Sequence, residues 1–454
     1  MKHFWVLLVA FLASTSITFS QDSTSNSSAS KSSQRTLPSA PTVFSTSPFT
    51  TTNYGTRFSH LHLHQLPTAR NIWVLLESQE RSVVTDRIDV GGIKSETHAR
   101  FGGHGTSWTQ NAYYLDGVNI TDPYSGDKPL LYPDYDAIDE LSVSTAVHSA
   151  RVSSPGVALS LTSRKGEKLA HGGVQLYYQG DKTQSTTVTG SKRDVGVNSP
   201  EHFKDFFNGN LHLSGEMIPD RVGYFVSISS QQFSKYMQNV SEAIDTKLIS
   251  GFVNLTSEVS NQKLNFLWTG QQLKNPNFGV SSHVPFESSH DDVKTYQILQ
   301  VGDKIQLSPS LKLESRLGYA NASLESKLQQ GVQEQSGVEL FKGIYSGTAP
   351  LQQIGTRDRI DFAGVLQHTA EGHVHLWGGD FSVKNNLQAG AGWEELFSSN
   401  KYTAYDNLNL RFFNGMPYAI VMLNTPANAR QRVRHLSLFI QNNTLFSDLF
   451  ALDI

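Results

Sequence analysis

His60, His62 and His64 alternate with Leu61 and Leu63 in the run SHLHLHQ. On an extended strand, residues two apart project to one side. The three imidazoles would then share a face, and imidazole is the side chain that most readily holds zinc, copper or nickel. The bland reading is a polar strand face, and no fixed fourth ligand accompanies the three. Asp116, Asn119, Asp122 and Asp127 form a second cluster in a stretch that also holds Gly117, Pro123 and Gly126. Oxygen-rich loops can hold calcium, but the glycine and terminal glutamate of a twelve-residue calcium loop are misplaced here. Turns closed by Asp and Asn side chains explain the cluster better.

Gly91 and Gly92, and Gly102 and Gly103 with Gly105, read as tight turns without phosphate-cradling spacing. No HExxH, GxSxG or nucleophile–base pair stands at a recognisable spacing. Asp139 and Glu140, like Glu394 and Glu395, are adjacent; on a strand they face opposite sides and make poor acid–base partners. The expectation is a non-enzyme with no catalytic residue, no cofactor and no metal site. The glycosylation-type triplets at Asn119 and Asn254 read as incidental. Trp73, Trp108, Trp268, Trp377 and Trp393 are scattered and read as core or membrane-girdle positions.

These residues need elements to position them, and 454 residues are enough for two or three domains. Net charge is -3 with 17% charged residues, and no basic stripe offers a nucleic acid its footprint. Hydrophobic residues make up 38% of the chain. Past the first twenty residues no apolar run is long enough for a membrane-spanning helix. A transmembrane barrel would look equally hydrophilic, because alternate strand residues face its lumen. The absence of cysteine removes disulfides and thiolate chemistry together.

Lys2 and His3 precede an apolar stretch, Phe4–Ala13, with Thr18 and Ser20 placed three and one before Gln21. This is the layout of a cleaved export signal over residues 1–20. Residues 21–55 form a Ser/Thr-rich linker unable to bury a core. Residues 56–165 carry short strand candidates (Val83–Ile88, Tyr113–Val118, Leu141–Thr145 and Val157–Thr162) and a helix expected over Ala69–Ser78. From 166 to 454 the pattern changes to strands about ten residues long with period two. Leu264, Phe266 and Trp268 alternate with Lys263, Asn265 and Leu267; Leu311, Leu313, Leu317 and Tyr319 oppose Lys312, Glu314 and Arg316. Further strands are expected near 173–178, 209–215, 222–228, 247–257, 294–306, 360–366, 373–383, 408–413, 418–423 and 432–441. A soluble sandwich or propeller shows the same period.

Five blocks decide between those architectures. LPTARNIWVLL (Leu66–Leu76), DRIDVGGIKSE (Asp86–Glu96), NAYYLDGVNITDP (Asn111–Pro123), YDAIDELSVST (Tyr135–Thr145) and GVALSLTSRKGE (Gly156–Glu167) follow in order. They resemble the plug domain of TonB-dependent outer-membrane receptors, specifically the Oar-like branch. Ser78–Val84 departs from that pattern, with SQERSVV where a Pro-Gly-Val turn is usual. The resemblance implies a mainly β fold: a small α+β plug domain followed by a transmembrane antiparallel β-barrel in the outer membrane of a Gram-negative bacterium. It implies an extracellular ligand of unidentified class, outer-membrane lipid around the wall and a TonB-type energy-transducing partner in the periplasm. Thr42, Val43, Phe44, Ser45 and Thr46 stand where relatives present an extended segment to that partner, which would add as a strand.

The region after Gly166 supplies roughly a dozen strands, whereas plugged transporters have about twenty-two. An open sheet would leave unpaired backbone groups in lipid. The chain also ends Phe450-Ala-Leu-Asp-Ile454, without the family's usual terminal aromatic. The expectation is therefore the N-terminal part of a longer receptor, its barrel incomplete. Two alternatives stand beside transport: a non-transporting surface or adhesion protein on the same scaffold, and a secreted glycan-binding β-protein.

Overall fold

The computed structural model describes residues 42–43, 54–66, 70–85, 98–184, 190–194, 196, 199–376, 379–447 and 450–453. The export-signal stretch, Phe44–Thr46, Gly91, Gly92 and Trp377 lie outside the described residues. All the described residues fall in one compact unit, Ser39–Ile454.

The first layer is a six-stranded sheet. In chain order its strands are β1 (Thr42–Val43), β2 (Tyr54–Ser59), β5 (Ala112–Leu115), β6 (Val118–Asn119), β7 (Ile138–Ala146) and β8 (Ala158–Ser163). They lie in the order β1-β2-β7-β8-β5-β6. A separate ribbon joins β3 (Val83–Thr85) and β4 (Phe101–Gly103). Along β7 the even-sided polar residues give way to buried Leu141 and Val143, and β8 buries Leu159 and Leu161. This alternation places one face of the sheet on a core with Phe58, Tyr113 and Tyr135.

Two helices close that core. α1 (His60–Gln65) overturns the strand expected through the three histidines. Ser59 and His62 form a reciprocal cap, with the Ser59 N–H donating to His62 Nδ1 at 3.2 Å. Leu63 is buried while Leu61 is half exposed, a helical rather than a two-residue period. The helix separates His62 from the other two, and the His60 and His64 rings meet at 4.2 Å with their planes tilted by 50°. Burial first, then the neighbouring His60, lowers His64 to about 4. α2 (Ile72–Gln79) starts later than the expected Ala69, because Arg70 has φ +58 and Asn71 caps Val74 N at 3.0 Å. It buries Ile72, Trp73, Leu75 and Leu76.

The second layer is an eleven-stranded antiparallel wall. Its strands are β9 (His171–Gly180), β10 (His202–Ile218), β11 (Val222–Tyr236), β12 (Ala243–Val259), β13 (Gln262–Phe278), β14 (His290–Ser308), β15 (Leu311–Leu328), β18 (Gln352–Leu376), β19 (Gly379–Thr403), β22 (Ala427–Phe446) and β23 (Phe450–Asp453). They pair in chain order, and among the described residues β9 and β23 do not meet. At one end the strands join through short turns, such as 260–261 and 309–310; at the other they join through long connections, such as 181–201, 329–351 and 404–426.

Several strands reach 17 to 25 residues, well past the ten expected. β13 shows why. Leu264, Phe266 and Trp268 make its outward face apolar, then Gly270, Gln272 and Lys274 make it polar while the ladder continues. Alternation marks the apolar belt, and hydrogen bonding runs beyond it. The segment expected as one strand at 373–383 ends β18 and begins β19. The segments near 408–413 and 418–423 are not wall strands. They are β20 (Leu408–Phe413) and β21 (Met416–Met422), which join β16 (Gly337–Glu339) and β17 (Ile344–Ser346) in a small sheet at the long-connection end.

Candidate functional site

The plug sheet lies on the wall's inner face, and the two share one apolar cluster: Phe225, Phe252, Leu267 and Ile298 of the wall pack with the plug core. Among the described residues no strand of the six-stranded sheet pairs with the wall. Among the described residues, polar contact across the seam therefore runs through side chains.

The seam centres on the hairpin made by β5 and β6. Asp116 and Gly117 form its two-residue turn, both with positive φ, +46 and +85. An Asp-Gly pair suits that geometry. Asp116 Oδ1 accepts from Ser163 N at 2.9 Å, tying the hairpin to β8. Its tip fits tightly on β15, because a Cβ at Gly318 would stand 2.3 Å from Val118 Cγ1.

Around that tip the wall contributes buried charges. Arg359 donates to Thr121 O at 3.2 Å and pairs with Glu394 at 2.7 Å. Glu394 Oε1 accepts from Asn119 Nδ2 at 3.3 Å. Glu395, the next residue, faces outward, so the two adjacent carboxylates divide between faces as the sequence implied. Gln300 Nε2 donates to Leu115 O at 2.9 Å. Gln271 does more: its Oε1 accepts from Tyr132 N at 2.9 Å and its Nε2 donates to Tyr132 O at 2.6 Å. One amide thus imitates a rung of sheet. Farther along, Ser229 donates to Asp134 at 2.8 Å, Asn254 to Ser163 at 2.8 Å, and Ser149 to Gln441 at 2.8 Å.

The oxygen cluster expected as turn chemistry is placed accordingly. Asn119 Oδ1 accepts from Thr121 N at 3.0 Å, and Asp122 Oδ1 from Tyr124 N at 2.8 Å. Asp122 also faces Arg357 at 3.5 Å, and Asp127 faces Arg100 at 3.3 Å. Trp73 is buried in the plug, Trp108 lies under the Arg100 guanidinium at 4.5 Å, and Trp268 and Trp393 stand on the outward belt.

Between plug and wall, toward the long-connection end, lies a cavity of about 390 Å³. Asp122, Asp127, Lys128 and Tyr132 line it from the plug, and Phe278, Lys294 and Tyr296 from the wall. His98 stacks on Tyr132 at 4.3 Å and lies against Trp73 at 4.9 Å. Complete burial holds its imidazole well below the usual range, and the ammonium groups of Lys128 and Lys294 add to the effect. Lys294 pairs with Asp292 at 2.9 Å. Among the described residues Lys128 has no carboxylate within ion-pair distance. His98 Nδ1, Asp127 Oδ1 and Asp292 Oδ1 are buried without a hydrogen-bond partner. Polar atoms so placed suit a ligand or water rather than a dry core.

The proposed partner-contacting segment is described in part. Thr42 and Val43 pair with Arg57 and Thr56, forming an edge of the plug sheet.

No family model matches the sequence. No curated protein matches it either. Solved structures do. The outer-membrane transporter YddB from Escherichia coli aligns with TM-score 0.60 and 15% identity, over 86% of this chain and 54% of that one. The ferric citrate transporter FecA, unliganded, aligns with TM-score 0.56 and 10% identity, over 87% and 54%. The RagAB peptide importer in its open-open state aligns with TM-score 0.52 and 14% identity, over 88% and 54%. The chain has the fold of the TonB-dependent outer-membrane transporters. It spans about half the length of the transporters it matches. Within that fold the two layers are the plug and part of the barrel wall. Of the seam residues, Gln271, Gln300 and Arg359 were not singled out from sequence, and Glu394 only as a carboxylate facing away from its neighbour Glu395. Their only signal there is polarity on alternate strand positions, which a solvated lumen face would also show.

Proposed function

We propose that this chain works as a TonB-dependent receptor and transporter in the outer membrane of a Gram-negative bacterium. Its cargo in this reading is a small polar ligand bearing an anionic group, bound for transport rather than chemistry. The observation that carries it is the seam: a folded plug held on the inner face of a lipid-facing wall by separate side-chain contacts, with a polar cavity beside it. Each such contact contributes only about 0.5–1.5 kcal/mol net. A plug so attached is stable at rest and releases when pulled contact by contact.

The same reading divides the chain into an export signal (1–20), a tether (21–55), a plug (56–165) and wall (166–454). The long connections face outward and the short turns face the periplasm, the usual asymmetry of such barrels. Ligand enters from the long-connection end and meets the cavity, where Lys128 and Lys294 attract an anion and Tyr132, Tyr296 and Phe278 offer aromatic surface. Asp127 and Asp292 accept the ligand's donors. Thr42–Thr46 passes to the periplasmic partner by strand addition.

The test is uptake in cells displaying the protein, with ferric citrate and a labelled tetrapeptide as probes. Val43 and Phe44 point their N–H groups to opposite edges of a strand, so proline at both removes a donor from whichever edge the partner pairs with. Uptake of the accepted probe is expected to fall to the level of cells treated with a proton uncoupler, while surface display persists. Uptake that survives both treatments overturns energised transport.

A further inference from the structure

We infer that the outward face of β22 and β19 carries a binding site for a phosphate-bearing lipid headgroup, built on Arg430, Arg432 and Arg434. The inference rests on the lipid-facing wall proposed above and adds a specific lipid partner to it.

Gln441 reaches the plug, accepting from Ser149 and from Ala150 N, so odd-numbered residues of β22 face inward. The ladder with β19 runs from Tyr402↔Ala427 to Val383↔Phe446 without a register shift. Strand alternation then sends Arg430, Arg432, Arg434, Leu436, Leu438 and Ile440 outward together. On β19 Glu394 touches the plug, which sends Trp393, Glu395, Phe397 and Lys401 outward.

Height follows from the register. Leu436, Leu438 and Ile440 are 69–77% exposed and continue the apolar belt. Trp393 stands opposite Leu436, and Phe362 and Leu317 continue that level across β18 and β15. One rung higher Tyr319, Ile360, Glu395 and Arg434 stand side by side. Aromatic residues at the rim of an apolar belt mark the membrane–water interface. Arg434 therefore sits about 7 Å above the last apolar rung of β22, at headgroup level, with Arg432 and Arg430 above it. The long connections lie at this end, so the leaflet is the outer one.

Glu395 pairs with both Arg432 and Arg434, the latter at 3.2 Å. Asp358, opposite Phe397, is engaged by Tyr319 at 2.7 Å and Asn321 at 2.8 Å. Among the described residues Arg430 and Lys401 have no carboxylate within ion-pair distance. Three guanidinium groups and one ammonium thus face one pairing carboxylate. Arginine forks match phosphate oxygens two at a time, and basic residues beside an anionic membrane surface each strengthen attachment.

The full chain, purified in a zwitterionic detergent, is titrated with fluorescent diphosphorylated lipid A and with its dephosphorylated form. Wild type is expected to favour the phosphorylated lipid at least about tenfold, and Arg430→Gln with Arg434→Gln is expected to erase that preference, as loss of about two headgroup contacts implies. Glu395→Gln removes the competing carboxylate and is expected to tighten binding, a gain that a damaged fold would not give. Equal binding of both lipids, or no gain in Glu395→Gln, overturns the site. Displacement of the lipid by an equal concentration of inorganic phosphate also overturns it, since the site would then be one for free anions. Insertion into plain phosphatidylcholine vesicles is measured separately: its failure overturns the lipid-facing wall itself, whereas insertion without phosphate preference overturns only this inference.

Discussion

Gln271 shows how much a single side chain carries at the seam. It is 4% exposed, and both ends of its amide are used by the backbone of Tyr132. Truncation would strand a buried N–H and a buried carbonyl together. Leaving such groups unpaired costs about 1–3 kcal/mol. Gln271→Ala is expected to destabilise plug docking by that amount, read as faster proteolysis of the plug at a fixed urea concentration. Its neighbour Gln272 faces outward, and Gln272→Ala is expected to change stability by less than about 0.5 kcal/mol. Equal effects in the two variants would show that the seam is not held this way. Sequence alone could not rank these neighbours. Both sit in a polar stretch, and only the register against β12 and β14 separates the plug side of the wall from its outer side. The histidine run misled for a related reason: alternation of His and Leu fits a strand, but the Ser59–His62 cap is a local interaction that selects the helix.

At the scale of elements, sequence patterns located what they had physical reason to locate. Period two found the apolar belt of most wall strands but not that of β19, whose outward Leu387 and Trp393 fall between the segments expected at 373–383 and 408–413. It missed the upper halves of β13, β18 and β19, where both faces are polar and nothing alternates. It also could not tell β20 and β21 from wall strands, because a small sheet separate from the wall obeys the same pleat. The turn before the short 3-10 segment Tyr135–Ala137 is a place where an element senses pH. Asp134 caps that segment, accepting from Asp136 N at 3.2 Å, and accepts from Ser229 on β11. Burial, and then the Asp136 carboxylate, pushes Asp134 up to about 6, while its bonds to Ser229 and the backbone oppose the rise. The docked state thus binds this proton more tightly than a released plug, whose carboxyl titrates near its ordinary value of about 3.9. Above about pH 6 both states are ionised and docking bears the full penalty; as pH falls toward 4 the docked state alone gains the proton and is favoured. Plug protection from protease is therefore expected to rise from pH 7 to pH 5 in wild type and to rise less in Asp134→Asn. Identical pH profiles would remove Asp134 from the account.

For the whole molecule the question is whether plug and wall behave as one body or two. The continuous apolar cluster argues for one, since separating the layers exposes Phe225, Phe252, Leu267 and the plug residues against them. The absence of a shared strand ladder among the described residues argues for two, since no hydrogen-bonded register there has to unzip. These arguments apply to different conditions. Burial dominates at rest, where all of the shared surface counts at once. Under a directed pull the side-chain contacts fail in sequence, and apolar surface is exposed only as far as the plug has moved. A tether across the seam distinguishes this from transport through a rigid plug. The chain has no cysteine of its own, so a pair introduced at Ser149 and Gln441, whose side chains meet at 2.8 Å, is unambiguous. Bridging the pair with a short reducible thiol cross-linker is expected to leave probe binding unchanged and to abolish uptake, with uptake restored on reduction. Uptake that continues with the bridge intact would mean that ligand passes without the plug leaving β22, and the seam would then be a fixed support.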